Sequence, residues 1–242
     1  MTQELWSGGP VFIDDPGCFR IGTDSVLLAD FTKEVHSNKR KRVIDIGCGS
    51  GLITVLLAWN DPVIMVDGLE ILARPAVLAA ENAVLNGLES RVSIITDDLR
   101  RHRDIFRAGI YDVAVSNPPY YSEGSGGLQE NEMLAAAKSE VFCTFDDVCK
   151  AAGYLVRSGG AFTVVRKPES LVADFRALNK NGFQPKRIRF VQHSAAFPPC
   201  LVLIESRRGG KPSLKIEAPL ILTGNDGADS EEIKAIYRLN KQ

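Results

Sequence analysis

From residue 43 to residue 205 the chain repeats one alternation, a short apolar run followed by a run of helical period. This predicts strands over 43–46, 63–70, 92–95, 110–116 and 161–165, with helices over 52–59, 75–85, 145–156 and 170–181 between them. The boundaries carry matching signals. Pro75 stands in the first turn of its helix, Thr144 caps the next, Ser158-Gly159-Gly160 reads as that helix's stop, and Gly182 ends the last. Alternation of this kind calls for an α/β architecture, a mostly parallel sheet covered on both faces by right-handed crossovers. Two closing strands, 188–191 and 201–205, are joined by a loop with Phe197-Pro198-Pro199 and no helix, which predicts an antiparallel pair at one end of the sheet. Ligands in such sheets bind at the carboxyl ends of the strands. Chemistry is therefore expected in the residues that follow each strand.

Ahead of the alternation, Val11-Phe12-Ile13 and Cys18-Phe19-Arg20 flank Asp14-Asp15-Pro16-Gly17 and read as a hairpin. Thr23 or Asp24 can cap a helix running to about Val35. The 242 residues, 45% hydrophobic and 24% charged, have an ordinary globular composition. No low-complexity linker divides them, and the expectation is one domain over 1–242, with 1–40 as an N-terminal hairpin and helix segment.

Several function classes drop out. No apolar run reaches the roughly 18 residues of a membrane helix, and the N-terminus lacks a charged-then-apolar leader. Five cysteines, an odd number without paired spacing, predict reduced thiols and a cytoplasmic protein. His36, His102 and His193 are scattered, so no metal site is expected. The net charge of −1 argues against a wide nucleic-acid footprint, yet cations cluster at Lys39-Arg40-Lys41-Arg42, Arg100-Arg101-His102-Arg103, Lys186-Arg187-Ile188-Arg189 and Arg207-Arg208-Gly209-Gly210-Lys211. The last two clusters lie by the closing strands and are expected to form one phosphate-contacting patch.

Asp45-Ile46-Gly47-Cys48-Gly49-Ser50-Gly51 follows the first sheet strand and opens a helix. The glycines allow positive φ and close approach of a ligand. The G-x-G-x-G spacing differs from the dinucleotide G-x-G-x-x-G, and suits a ligand with no pyrophosphate. S-adenosylmethionine is such a ligand, and Asp45 is placed to face its ammonium, directly or through water. A second acid is expected on the ribose hydroxyls from the end of the next strand, and Asp67 and Glu70 compete for that role. Glu70 is preferred: it lies 19 residues beyond Gly51. After the third strand, Asp97 and Asp98 offer a carboxylate for an adenine amine, Asp98 being preferred and a capping role weighing on Asp97.

The fourth strand runs into Asn117-Pro118-Pro119-Tyr120. Two prolines force a turn there and leave carbonyls without neighbouring N–H groups. Acceptors beside an aromatic ring suit a planar amine, whose hydrogens they take while the ring stacks on its face.

Taken in order, the glycine loop, the ribose acid, the strand-end Asp and Asn-Pro-Pro-Tyr resemble class I S-adenosylmethionine-dependent methyltransferases acting on amines. Within that class the chain is similar, over nearly its whole length, to bacterial tRNA(Val) adenine-37 N6-methyltransferases and related small-domain methyltransferases. Phe19-Arg20-Ile21-Gly22-Thr23-Asp24-Ser25-Val26-Leu27-Leu28 resembles the segment that packs over the cofactor in that family, and 197–212 resembles its C-terminal strand and basic tail. The family's spacing from acid to Asn86-Gly87-Leu88 selects Glu70. One departure is Ala137-Lys138-Ser139-Glu140, where relatives often carry an Ala-Arg-His-Glu-like segment. Asp67-Gly68 is a second, unusual inside a strand.

The resemblance implies a Rossmann-like fold with a seven-stranded, mostly parallel sheet and an antiparallel terminal strand. It implies a cofactor site of Thr23, Asp24, Asp45, Gly47, Cys48, Gly49, Gly51, Glu70, Asp98 and Asn117. Catalysis falls to Asn117, Pro118, Pro119 and Tyr120, and the product is N6-methyladenine in RNA, with tRNA as the partner. Asn117 Oδ1 and the Pro118 carbonyl would accept the amine hydrogens, and Tyr120 would stack on the unstacked base. The same turn serves enzymes that methylate a glutamine side chain, and close variants serve guanine N2. Glutamine enzymes of that type carry an N-terminal helical domain, whereas about 40 residues precede the first sheet strand here. A binding protein without catalysis would be expected to show a broken turn, and this one is intact.

Overall fold

A computed structural model describes residues 1–15, 18, 21–33, 41–118, 143–224 and 226–239. At the N-terminus β1 (Thr2–Glu4) pairs antiparallel with β2 (Val11–Ile13), and α1 (Thr23–Lys33) follows. The strand 11–13 thus takes its partner from 2–4 and not from 18–20. Thr2-Gln3-Glu4 is fully exposed and shows no apolar alternation, so nothing in the sequence marks it as a strand. Pro16, Gly17, Phe19, Arg20 and the expected end of α1 near Val35 lie outside the described residues.

The main sheet is built from β3 (Arg42–Ile46), α2 (Leu52–Asn60), β4 (Met65–Glu70), α3 (Ala73–Leu85) and β5 (Val92–Thr96). A single 3-10 turn, Leu99–Arg101, then leads through α4 (His102–Ile105) to β6 (Tyr111–Ser116). After it come α5 (Phe145–Leu155), β7 (Val156–Arg166), α6 (Leu171–Lys180), β8 (Phe183–Gln192) and β9 (Pro199–Arg208). The order across the sheet is β5-β4-β3-β6-β7-β9-β8. Neighbours from β5 to β7 are parallel, and β9 runs antiparallel between β7 and β8. Two further strands, β10 (Lys215–Ile216) and β11 (Leu220–Ile221), pair in parallel with β8 and bring the sheet to nine. At two residues each, they are too short for a period-2 pattern to announce them. The last helix, α7 (Glu231–Ile236), starts at the Ser230 cap.

Side-chain alternation along the strands sorts the core into two layers. Val43, Val113, Val115, Ala161 and Val165 pack with Val26, Leu27 and Leu28 of α1 and Val55 and Leu56 of α2. Ile44, Ile46, Ala114, Phe162 and Val164 pack on the other face with Val148, Ala152 and Leu155 of α5 and Leu178 of α6. The α1 layer is pinned by one buried hydrogen bond, Thr32 Oγ1 to Thr163 Oγ1 of β7 at 2.7 Å.

One expected boundary moves. The glycines at 158–160 do not stop α5, which ends at Leu155 and passes directly into β7. The β6–β7 register shifts between Tyr111 and Val113, and Gly159 there adopts φ 73°. A Cβ on Gly160 would fall 2.8 Å from the Asp112 carbonyl oxygen, so these glycines serve a bulge. The unusual Gly68 of β4 has a similar cause, since a Cβ there would meet Cys48 Sγ and Ile94 Cδ1 at 2.8 Å each.

Candidate active site

The strand order reverses between β3 and β6, whose carboxyl ends lie side by side; such a reversal is where open α/β sheets bind ligands. Ser116 Oγ donates to the Ile46 carbonyl at 2.7 Å and ties the two ends together. The glycine loop continues from Ile46, and Asn117-Pro118 continues from Ser116. Sequence reasoning expected these two segments to share a site, and the topology brings them to one edge.

The loop is built to leave space above it. Gly47 and Gly49 have φ of 75° and 55°, and a Cβ on either would enter open space. Gly51, at φ 83°, does a different job: a Cβ would lie 2.9 Å from Ala79 Cβ, so this glycine lets α2 approach α3. Four N–H groups of the loop, those of Gly47, Cys48, Gly49 and Gly51, are already spent. Gly47 N and Cys48 N donate to the Leu69 carbonyl at 2.8 and 3.1 Å, and Gly49 N donates to Glu70 Oε2 at 2.9 Å. A phosphate cradle needs such N–H groups unsatisfied. The Cys48 side chain is buried beneath Gly68, and burial pushes its thiol well up, so only its backbone belongs to the loop's ligand face.

The two acids that compete in the second strand separate cleanly. Asp67 accepts from Arg42 Nη2 at 2.8 Å and from the Tyr111 hydroxyl at 2.7 Å, inside the sheet edge. Glu70 reaches the loop: Oε2 takes Gly49 N and Oε1 takes Leu72 N at 2.8 Å. A cleft beside it is lined by Gly47, Glu70, Ile71, Asp97, Asp98 and Leu99, among others. Asp98 is the capping acid of the 3-10 turn, accepting from Arg100 N at 2.9 Å. Hydrogen bonds from the Arg100 guanidinium hold its carboxyl below the usual range. Asp97 Oδ1 accepts from Asp98 N at 2.7 Å, so the capping role expected of Asp97 belongs to Asp98.

Asp45 lies under the loop with no exposure at all. Oδ2 accepts from Thr54 Oγ1 at 2.7 Å, while Oδ1 is buried with no partner in the structure. Burial pushes its carboxyl up to about 7, the Thr54 hydrogen bonds opposing and the Glu70 charge assisting. Thr54 was not singled out by sequence, although a Thr nine residues after an acid sits one turn into the helix that the loop opens.

On the other flank, Asn117 Nδ2 donates to Asp24 Oδ2 at 3.0 Å and to Ser25 Oγ at 2.9 Å. Asp24 therefore faces the Asn117 turn. Thr23 lies near the Tyr237 hydroxyl beyond α7. Pro119, Tyr120 and the segment 137–140 lie outside the described residues. Asn86, used above only for spacing, clamps the N-terminal ribbon: its Oδ1 takes Val11 N and its Nδ2 gives to the Val11 carbonyl, each at 2.8 Å.

The two cation runs expected to form a phosphate-contacting patch lie by the closing strands and not at this edge. Arg207 and Arg208 pair in register with Ala161, at the middle of β7, and Phe183, the first residue of β8, short of the carboxyl ends where Asn117 follows β6. Arg187 is buried against Glu205 at 2.9 Å and Glu217 at 3.6 Å, Arg189 binds Glu232 at 2.6 Å, and Arg207 binds Glu205 at 2.8 Å. Arg187 and Arg189 take their acids from β9, from the residue after β10 and from α7, all distant in sequence, whereas Glu205 stands two residues from Arg207 on the same strand. Among the described residues no cluster of three metal-ligating side chains occurs, and no helix is long and apolar enough to cross a membrane.

Residues 12–173 match the family model described as Methyltransferase small domain. Over 98% of its length the chain is 32% identical to a tRNA1(Val) (adenine(37)-N6)-methyltransferase of Dickeya chrysanthemi (strain Ech1591), taking in 95% of that protein. A protein of the same name from Yersinia pseudotuberculosis serotype O:3 (strain YPIII) is 32% identical over 165 residues, 68% of this chain and 63% of that one. Among solved structures, a predicted O-methyltransferase from Agrobacterium tumefaciens superposes with a TM-score of 0.73 at 19% identity, covering 89% of this chain and 96% of that one. At that identity the likeness speaks for the fold, a Rossmann-like α/β methyltransferase architecture.

Proposed function

The chain belongs to the small-domain methyltransferase family, and from that premise we propose that it transfers the methyl group of S-adenosylmethionine to the exocyclic N6 of an adenine in tRNA. One observation carries the reading: an acid-lined glycine loop with the N–H groups of its three glycines and Cys48 spent, and an Asn-Pro segment, meet at the switch point of one sheet. Such a loop, with Asp45 and Glu70 beside it, disfavours a pyrophosphate and favours a ligand that carries positive charge and hydroxyls. The unpartnered Asp45 Oδ1 and the open space over Gly47 and Gly49 fit S-adenosylmethionine, with Asp45 toward the ammonium end and Glu70 toward the ribose. Ile71 and Leu99 supply apolar walls for its adenine and Asp98 an acceptor. When bound, the cofactor supplies an electrophilic methyl group.

The protein's own task is then to make a weak nucleophile ready. The lone pair of an exocyclic amine is delocalised into its ring. Asn117 Oδ1 and the Pro118 carbonyl accept its two hydrogens and favour a pyramidal nitrogen. Fixed acceptors cost no reorganisation during the reaction, so alignment and preorganised dipoles provide most of the acceleration. No strong base is required, because the departing proton becomes acidic only once the new bond exists. The ring of Tyr120 would then stack on the base, which must leave its neighbours to enter. In this reading residues 1–242 work as one domain in the cytoplasm.

The test pairs two acceptor pools with labelled cofactor. Nucleosides from total tRNA should yield labelled N6-methyladenosine by mass spectrometry. Label confined to glutamine in a protein pool, or to N2-methylguanosine, would contradict the adenine assignment.

A further inference from the structure

Asn117 has two arms of nearly equal shape and opposite chemistry, a carbonyl that accepts and an NH2 that donates. Half a turn about the last side-chain bond exchanges them at little steric cost. Only the carbonyl can take a hydrogen from an amine; the NH2 would meet the amine donor to donor. Something has to choose the arm. The first turn of α1, 93 residues away in sequence, makes that choice.

Nδ2 donates to Asp24 Oδ2 at 3.0 Å and to Ser25 Oγ at 2.9 Å. A carboxylate only accepts, so the arm toward Asp24 has to be NH2 and the other has to be Oδ1. Asp24 is itself fixed. Its Oδ1 accepts from Ser25 N at 2.8 Å, and a Cβ on Gly22 would fall 2.4 Å from that same oxygen. The far end of α1 is anchored to β7 through Thr32 and Thr163.

We propose that Asp24, with Ser25, is a positioning residue of the reaction: it locks the Asn117 amide so that Oδ1 is the arm presented to the target amine. A negative acceptor on the N–H arm also strengthens the carbonyl arm, since the amide polarises along its length. The proposal rests on the reading of Asn117 as the acceptor. It gives Asp24 a task distinct from binding the cofactor.

Single-turnover methyl transfer to tRNA and calorimetric S-adenosylmethionine affinity test it on five forms. These are wild type, Asp24→Asn, Ser25→Ala, Asn117→Ala and the double variant Asp24→Asn with Asn117→Ala. Asp24→Asn keeps the shape but can offer its own NH2, which admits the flipped amide. Its rate should fall by about 10–100-fold, the worth of a hydrogen bond to a charged group, with cofactor affinity held within about threefold. Ser25→Ala removes a neutral partner and should cost less, about 2–10-fold. The double variant should be no slower than Asn117→Ala alone, because an acceptor that is gone cannot be mis-set. Losses that multiply in the double variant, or cofactor affinity that drops more than about tenfold in Asp24→Asn, would make Asp24 a cofactor contact and overturn the proposal. Asn117→Ala at the wild-type rate is a separate outcome, and overturns the reading of Asn117 itself whatever Asp24 does.

Discussion

Asp45→Asn should make the cofactor-free protein more stable than wild type as pH rises, which is unusual for a residue in a binding loop. Asp45 is wholly buried, one oxygen holds Thr54 Oγ1 at 2.7 Å, and the other has no partner. Its carboxyl stands at about 7 in the fold, mainly through burial, against an ordinary 3.8. The folded state therefore binds a proton that the unfolded chain has released across that window, and stability is lost as pH climbs from about 4 toward 7. The difference corresponds to about 4 kcal/mol by pH 8 and about 2 kcal/mol at pH 5. Asparagine keeps the acceptor for Thr54 and never ionises. Its NH2 inherits the position without a partner, at a cost of about 1–3 kcal/mol that does not depend on pH. Urea unfolding of both proteins at pH 5 and pH 8 separates the two parts. The stability of Asp45→Asn relative to wild type should rise by about 2–3 kcal/mol between those pH values, whatever its starting offset. A difference that stays flat would mean that Asp45 titrates as an ordinary aspartate, and the argument from burial would fail.

Other outcomes follow from the same contacts. Glu70→Ala should weaken S-adenosylmethionine binding in calorimetry more than Asp67→Ala, which should instead lower stability by about 1–3 kcal/mol as Tyr111 and Arg42 lose their acceptor; the reverse ranking would move the ribose acid to Asp67. Arg187→Ala removes one of the two Arg partners of the buried Glu205, Arg207 remaining at 2.8 Å, and should cost about 1–3 kcal/mol in urea unfolding, whereas a loss below about 0.5 kcal/mol would show the pair to be solvated. Arg207→Ala should leave the salt dependence of tRNA binding unchanged, because Arg207 pairs with Glu205 at the end of the sheet away from Asn117. A change of about one unit in that slope would restore it to the interface.

Much of this was readable from local patterns. The helix and strand alternation predicts the layers because each strand's period-2 apolar residues and each helix's apolar stripe must find one another. The spacing from Gly49 to Glu70 is set by a strand, a turn and a helix of fixed rise, so a carboxylate on the loop could be inferred without coordinates. What escaped depends on partners distant in sequence. Thr2–Glu4 is a strand only because Val11–Ile13 offers it a ladder. Gly159 and Gly160 have the composition of a helix stop, and only the register against β6 shows that they form a bulge. Arg187 and Arg189 read as phosphate contacts until Glu205, Glu217 and Glu232 are brought across from other elements. Asp24 was legible as an acid at a helix start, but its hydrogen bond to Asn117 is a product of the fold alone.

In the proposed reaction Asn117 prepares the target amine while the glycine loop and Glu70 hold the cofactor. The most direct measurement follows Asn117→Ala against wild type in tRNA methylation, with N6-methyladenosine read by mass spectrometry and S-adenosylmethionine affinity by calorimetry. Loss of one preorganised polar group should slow transfer by about 10²–10³-fold while cofactor affinity stays within a few fold. Transfer at the wild-type rate, or cofactor binding lost along with activity, would contradict the account.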